Sequence, residues 1–309
     1  MQVVLFHSAS NNADRWHAAL AEAMPELEFR LSSEPGDKGE IEYALVWKPP
    51  AGLLASLPRL KVIASLGAGV DHILADPTLP DLPVVRLVDP HMVAAMSEYV
   101  VTQVLRLHRQ DLVYVAQQRR GEWRERSQPN AEERRVGILG LGTMGTDAAL
   151  KLKALDFDVA GWSRRPKEVP GIRSYAGEAG LAEMLRQTQI LVCLLPLTAD
   201  TEGILNARLF ARLPRGAMLL NAGRGAHLIE DDLIPALDSG QLSGAVLDVF
   251  RQEPLPPAHP FWRDERIVVT PHIAATTNPK TAAYIVADTF RRAREGKPLL
   301  NVVDRAARY

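Results

Sequence analysis

Short apolar runs separated by amphipathic stretches set the rhythm of this chain. In its first third, QVVLF (2–6), YALVW (43–47), KVIAS (61–65) and PVVRL (83–87) predict strands. Apolar residues at helical spacing lie between several of them, as in DRWHAALAEAM (14–24). Such alternation predicts a parallel sheet covered by helices. One long helix is expected from 94 to 119. After it comes a polar, charged connection, RRGEWRERSQPNAEERR (119–135), which reads as solvated chain and not as a binding tail.

At Val136 the alternation restarts. RVGILG (135–140), DVAGW (158–162), ILVCLL (190–195), AMLLN (217–221), GAVLDVF (244–250) and IVVTP (267–271) predict six further strands, with helices at 146–155 and 230–239. A last helix is expected at 279–295. No short repeat or low-complexity tract interrupts the pattern. Two α/β domains, each a doubly wound parallel sheet, are the expectation.

Composition narrows the function classes. The 309 residues suffice for two sizeable cores. A formal net charge of -1 argues against a dedicated nucleic-acid or membrane-surface binder. Cys193, the single cysteine, excludes an internal disulfide framework and sits in an apolar run as packing, not as a nucleophile. No apolar run approaches the roughly 18 residues of a membrane span. The start, MQVVLFHSAS, reads as a first strand and not as a leader, so a cytoplasmic location is expected. His7, His17, His72, His91, His108, His227 and His259 lack metal-ligand spacing, and no metal is expected.

GILGLGTMG ends a predicted strand and opens a predicted helix. Gly140, Gly142 and Gly145 form G-x-G-x-x-G: a tight turn, an approach for pyrophosphate, and close packing of helix on strand. The helix N-terminus adds amide donors for phosphate. The next strand ends in GWSRRPK, so Ser163 stands where an NAD site usually carries an acid, followed by Arg164 and Arg165. A serine with two arginines attracts a 2′-phosphate that a carboxylate repels, which predicts NADPH as the preferred cofactor over NADH.

Three polar residues follow later strands: Arg224 in NAGRGA, Glu253 in DVFRQEPLP and His272 in VVTPHIAA. Ligands of doubly wound sheets bind beyond the carboxyl ends of strands, so these side chains are expected at one crevice. A guanidinium holds the carboxylate of a 2-keto acid and polarises the adjacent carbonyl. A histidinium protonates the carbonyl oxygen as hydride arrives, and a neighbouring carboxylate fixes its tautomer. The glycines beside Arg224 are expected to let the backbone pass close to nicotinamide.

With these motifs, the chain resembles the D-isomer-specific 2-hydroxyacid dehydrogenases, and within them the glyoxylate/hydroxypyruvate reductase A branch. YALVWKPP, LGAGVD, GILGLGTMG, WSRRPK, LLNAGRGAHLIEDDL, ALDSGQLSGAVLDVF, EPLPP, TPHIAA and the ending VDRAARY carry the resemblance over essentially the whole length. It implies Arg224 as substrate anchor, Glu253 as the acid partner and His272 as proton donor. It also implies a Rossmann-type dinucleotide domain over 99–276 and a flavodoxin-like substrate domain over 1–98, completed by 277–309. The cofactor contacts it implies are Gly140, Leu141, Gly142, Thr143, Met144, Gly145, Ser163, Arg164, Arg165, Leu195, Pro196, Ala222, Gly223 and Asp248. A homodimer, formed largely through the nucleotide domain, is implied as well.

For the substrate, Gly67, Ala68 and Gly69 make a small-residue turn whose N–H groups suit a carboxylate. Trp47, before Lys48, Pro49 and Pro50, is expected to wall the pocket and favour small keto acids such as glyoxylate and hydroxypyruvate. Two alternatives stand beside this: a dinucleotide-sensing binding protein on the same fold, and a dehydrogenase for a longer 2-hydroxy acid.

Overall fold

The computed structural model describes residues 2–8 and 12–306; the last three residues of VDRAARY lie outside them. The chain divides into two compact units, 1–92 with 276–309, and 93–275.

The first unit holds β1 (Gln2–His7), β2 (Leu27–Leu31), β3 (Ile41–Val46), β4 (Val62–Ser65) and β5 (Val84–Val85), with helices α1 (Ala13–Ala23) and α2 (Asp71–Leu74). All strands are parallel, in the order β2-β1-β3-β4-β5, the flavodoxin-like arrangement. β3 is buried almost throughout, as a central parallel strand covered on both faces must be. The C-terminal helix, Pro279–Arg294, returns to this unit and packs on α1, its Phe290 ring stacked on Tyr43 at 4.4 Å. Asn278 caps that helix and Pro279 takes its first turn.

The second unit carries seven parallel strands: β6 (Arg135–Leu139), β7 (Asp158–Ser163), β8 (Arg173–Ala176), β9 (Ile190–Cys193), β10 (Ala217–Asn221), β11 (Leu242–Leu247) and β12 (Ile267–Val269). Their order is β12-β11-β10-β9-β6-β7-β8, the dinucleotide-fold order extended by one strand. Its helices are α3 (Pro90–His108), α4 (Asp111–Arg120), α5 (Thr143–Lys153), α6 (Gly177–Leu185), α7 (Ala207–Phe210) and α8 (Leu233–Asp238), the first beginning in the preceding unit. Apolar clusters line both faces of the sheet, one around Leu191, Leu219 and Leu247, the other around Ile138, Val192 and Leu220. Among the described residues no helix is long and apolar enough to cross a membrane.

Several elements differ from the sequence pattern. The long helix begins at Pro90, where the buried Asp89 side chain accepts the His91 N–H at 2.9 Å. It also breaks: Gln110 adopts a left-handed conformation, and Asp111 restarts the chain as α4. The apolar run 244–250 leaves the sheet after Leu247, because the Phe250 N–H turns away to Glu253 Oε1. The segment 230–239 opens as a 3-10 turn, Glu230–Asp232, before α8.

Candidate active site

The register of the larger sheet levels six strand ends. Trp162, Leu139, Cys193, Asn221, Leu247 and Val269 stand in one row across β7, β6, β9, β10, β11 and β12. Strands lie about 4.8 Å apart, so the turns after β10, β11 and β12 are immediate neighbours. The turn after β6 opens on the same edge, where the strand order reverses.

That turn fits a dinucleotide. Gly140 has φ +104, and a Cβ on it would meet the Leu194 carbonyl oxygen at 2.9 Å. A Cβ on Gly145 would lie 1.8 Å from the Gly140 oxygen, so helix and turn touch only because Gly145 has no side chain. At Gly142 a Cβ would meet nothing within 4 Å, and no side chain caps the helix that follows. The outer side of the turn is therefore open while the protein-facing side is closed. Gly142 and Thr143 are exposed and Met144 is half-buried, whereas the Leu141 side chain belongs to the core.

Arg224 follows β10 on a loop held from both sides. Asn221, fully buried, donates from Nδ2 to the Arg224 carbonyl at 3.1 Å and accepts the Gly223 N–H. The Arg224 N–H donates to His227 Nδ1 at 2.9 Å. Packing explains the flanking glycines. A Cβ on Gly225 would lie 1.8 Å from the Phe250 carbonyl carbon, and one on Gly223 would lie 2.9 Å from His227 Nδ1. Room against the protein's own chain thus demands glycine on both sides of Arg224.

After β12 the chain turns through His272, a non-glycine residue at φ 55. Its Nδ1 lies 3.0 Å from Glu253 Oε2 and 3.1 Å from Oε1, and both side chains are half-buried. Glu253 on Nδ1 fixes the orientation of the ring. The unusual backbone is secured by Asp248, which is 1% exposed. Its Oδ1 accepts from Ile273 N and Thr270 Oγ1, its Oδ2 from Ala274 N, and its carbonyl from the His272 N–H. Thr270 spends its single proton on Asp248, so the Tyr99 hydroxyl, 2.7 Å away, must donate to Thr270. Burial pushes the Tyr99 phenol up to about 12, which keeps it a donor.

The D-isomer specific 2-hydroxyacid dehydrogenase, NAD binding domain, family matches residues 101–274. The glyoxylate/hydroxypyruvate reductase A of Serratia proteamaculans is 45% identical over 97% of this chain and 98% of its own. A D-isomer specific 2-hydroxyacid dehydrogenase from Xanthobacter autotrophicus, solved with NADPH and MES, superposes with a TM-score of 0.96 at 43% identity, over 100% of this chain and 99% of that one. The NADPH-dependent glyoxylate/hydroxypyruvate reductase of Sinorhizobium meliloti, solved with NADP and sulfate, gives 0.94 at 43% identity, over 100% of both chains.

The chain belongs to the D-isomer specific 2-hydroxyacid dehydrogenases. It is an enzyme of the NAD(P)-dependent kind, and the family's general reaction joins 2-keto acids to 2-hydroxy acids. In this dehydrogenase Ser163 ends β7 and its hydroxyl donates to the Arg165 carbonyl at 2.7 Å, while Arg164 and Arg165 are exposed. Lys167, which the sequence pattern did not single out, donates from Nζ to the Leu141 carbonyl within the glycine-rich turn. Leu195, Ala222 and Gly223 are buried beneath the same edge, and Pro196 is exposed. Cys193 is fully buried, and burial pushes its thiol up to about 12, so it stays an inert thiol. Among the described residues no three His, Cys, Asp or Glu side chains gather as a metal site requires.

Trp47, Gly67, Ala68 and Gly69 belong to the first unit. Gly67 lies so close to the Trp47 ring that a Cβ would stand 2.8 Å from it. The turn is tied by Ser65, whose hydroxyl donates to the Gly69 carbonyl and accepts the Gly67 N–H. His72, on α2, packs its ring 4.3 Å from that of Trp47. His72, His227, Asn221, Thr270, Tyr99 and Lys167 are the residues that sequence reasoning missed or left without a role. Their signal was slight: a polar residue closing an apolar run for Asn221 and Thr270, and a histidine three residues past the arginine for His227.

Proposed function

We propose that this dehydrogenase reduces small 2-keto acids, glyoxylate and hydroxypyruvate, to 2-hydroxy acids, with NADPH preferred over NADH. The carrying observation is the His272–Glu253 pair at 3.0 Å, on the same sheet edge as the open Gly142 turn. The relatives solved with NADPH and NADP support the cofactor. When bound, the nicotinamide supplies the hydride for the carbonyl carbon. Arg224 holds the substrate's carboxylate and carbonyl oxygen, drawing electron density from the carbon that is attacked. His272 gives its Nε2 proton to that oxygen as the C–O bond becomes single, so each turnover takes up one proton from solvent to restore the imidazolium. Glu253 holds Nδ1 and the ring orientation throughout.

Gly140, Gly142, Thr143, Met144 and Gly145 are assigned to the pyrophosphate, and Ser163, Arg164 and Arg165 to the 2′-phosphate. Leu195, Pro196, Ala222 and Gly223 border the nicotinamide. Asp248, its carboxylate already engaged, serves the cofactor side through the loop it holds. From the first unit, the Ala68 and Gly69 N–H groups are assigned to the substrate carboxylate, the Gly67 N–H being held by the Ser65 hydroxyl, and Trp47 to the pocket wall. Residues 99–276 thus serve the nucleotide, and 1–98 with 277–309 the substrate. A homodimer through the nucleotide-binding unit accords with the full exposure of Trp123 there. The test is a steady-state panel of keto acids with both cofactors, following loss of the reduced nicotinamide absorbance. Turnover of glyoxylate or hydroxypyruvate with NADPH is expected; binding of NADPH without turnover of any keto acid refutes the proposal and leaves a cofactor sensor.

A further inference from the structure

His227 has no assigned part in the reaction, yet its ring is placed with unusual economy. It is 0% exposed and closes the 3-10 turn Gly225–His227 directly after Arg224. Nδ1 accepts the Arg224 N–H at 2.9 Å, and Nε2 lies 3.3 Å from the Pro196 carbonyl oxygen. A nitrogen that accepts carries no proton, so the proton sits on Nε2 and points at Pro196. The same carbonyl takes the Thr201 hydroxyl at 2.7 Å.

The two ends of this bridge belong to different parts of the site. One is the backbone of the arginine assigned to the substrate. The other is the segment after β9, whose Leu194 carbonyl lies against Gly140 of the nucleotide turn. Gly223 is flat against both: a Cβ there would meet His227 Nδ1 at 2.9 Å and the Leu195 carbonyl oxygen at 3.1 Å. An apolar ring or chain of similar volume fills such a space equally well. A neutral imidazole also accepts at one end and donates at the other across one rigid plane, which no apolar side chain can do.

We propose that His227, as the neutral Nε2–H tautomer, is a positioning residue that sets the Arg224 backbone against the Leu195–Pro196 segment, and so fixes where the guanidinium meets the keto acid. This rests on the assignment of Arg224 as substrate anchor. Loss of the acceptor frees the Arg224 N–H and lets the loop drift, and small misplacements of a positioning group cost catalysis heavily.

The test compares His227→Leu, which keeps the volume and loses both polar atoms, with His227→Asn, whose amide oxygen replaces Nδ1 as acceptor. Arg224→Ala serves as reference. In His227→Leu, KM for glyoxylate is expected to rise about tenfold or more, the equivalent of one lost buried hydrogen bond, with Kd for NADPH changed less than about threefold. His227→Asn is expected to recover most of that loss. Equal damage in both variants, or an unchanged keto-acid KM in His227→Leu, overturns the positioning role. If Arg224→Ala itself leaves keto-acid kinetics intact, the anchor assignment fails first; if it abolishes them while His227→Leu does not, only the His227 inference falls. Nitrogen NMR of the wild-type protein, independent of how the variants fold, must show His227 as the Nε2–H tautomer, and an Nδ1–H tautomer refutes the proposal.

Discussion

Glu253 and His272 meet at 3.0 Å through Oε2 and Nδ1, from the loops after two adjacent parallel strands whose last residues, Leu247 and Val269, are paired in register. The pair therefore depends on sheet register and not on nearness in sequence. His272→Ala removes the proton donor and should lower kcat by about 10²–10⁴-fold, the usual contribution of a positioned acid. Glu253→Gln keeps an oxygen for the Phe250 N–H but removes the charge beside the ring, so a smaller loss in kcat is expected. NADPH affinity should hold in both, because the glycine turn is untouched. Stopped-flow turnover with a separate NADPH titration measures this, and near-wild-type turnover in His272→Ala contradicts the assignment.

Asp248 supports that catalytic loop with both carboxylate oxygens. Asp248→Ala strands the Ile273 and Ala274 N–H groups, at a cost of roughly 1–3 kcal/mol for each that stays buried and unpaired. His272, held at positive φ, then relaxes. Urea unfolding should show the lost stability, and kcat should fall with it. Thr270→Val, which breaks the link from Tyr99 to Asp248, should do the same to a lesser degree; full stability and full kcat in Asp248→Ala would show the loop to be held otherwise.

The central strands of both sheets were legible as apolar runs because burial on two faces demands them. β2 and β8 were not. Each lies at one edge of its sheet, their sequences LEFRL and RSYA are partly exposed, and no apolar run marks them. The break at Gln110 was hidden because helical spacing continues across it. Arg224, Glu253 and His272 stood out as polar residues just after apolar runs. Their supports did not: Tyr99 reaches Thr270 across 171 residues, and Asp248 reaches Ala274 across 26, so neither pairing leaves a local signal. The glycines beside Arg224 were visible, but the His227 ring and the Phe250 backbone that require them were not.

Cofactor preference should reside in the exposed pair Arg164 and Arg165. Replacing both by alanine is expected to raise KM for NADPH by about tenfold or more, the scale of a lost charge-assisted contact, and to leave KM for NADH nearly unchanged. Rising salt should weaken NADPH binding in the wild type more than in the variant. Equal losses with both cofactors would remove these arginines from 2′-phosphate recognition.

His108 gives the stability a pH dependence. Burial first, then Arg134 and Arg109, lower its pKa; its ring also stands edge-on to Phe157, with the Gln128 amide 3.4 Å from Nε2. The unfolded chain keeps the ordinary value of about 6.5 and so takes up its proton first as pH falls. The stability associated with neutral His108 is complete above that value and is lost as pH falls through the depressed folded one. Thermal unfolding of the wild type should weaken more than that of His108→Leu between about pH 7 and about pH 5. Parallel curves would exclude His108 as the titrating group.

Gly142 and Gly145 lie three residues apart in one motif and should fail in opposite ways. At Gly142 the backbone has φ -72, which alanine adopts freely, and a Cβ meets nothing within 4 Å. Gly142→Ala should therefore fold with an unchanged Tm. The new methyl, however, occupies the open side of the turn where pyrophosphate is assigned, so Kd for NADPH should rise by about tenfold or more, the equivalent of roughly 1.4 kcal/mol. At Gly145 the Cβ would stand 1.8 Å from the Gly140 oxygen, which no rotamer can relieve. Helix α5 must then shift from β6, and Gly145→Ala should lose Tm whether or not cofactor is present. Calorimetry of both variants, with and without NADPH, separates the two effects. If Gly142→Ala binds NADPH as tightly as the wild type, the open side of the turn does not face the cofactor, and the pyrophosphate assignment must be withdrawn.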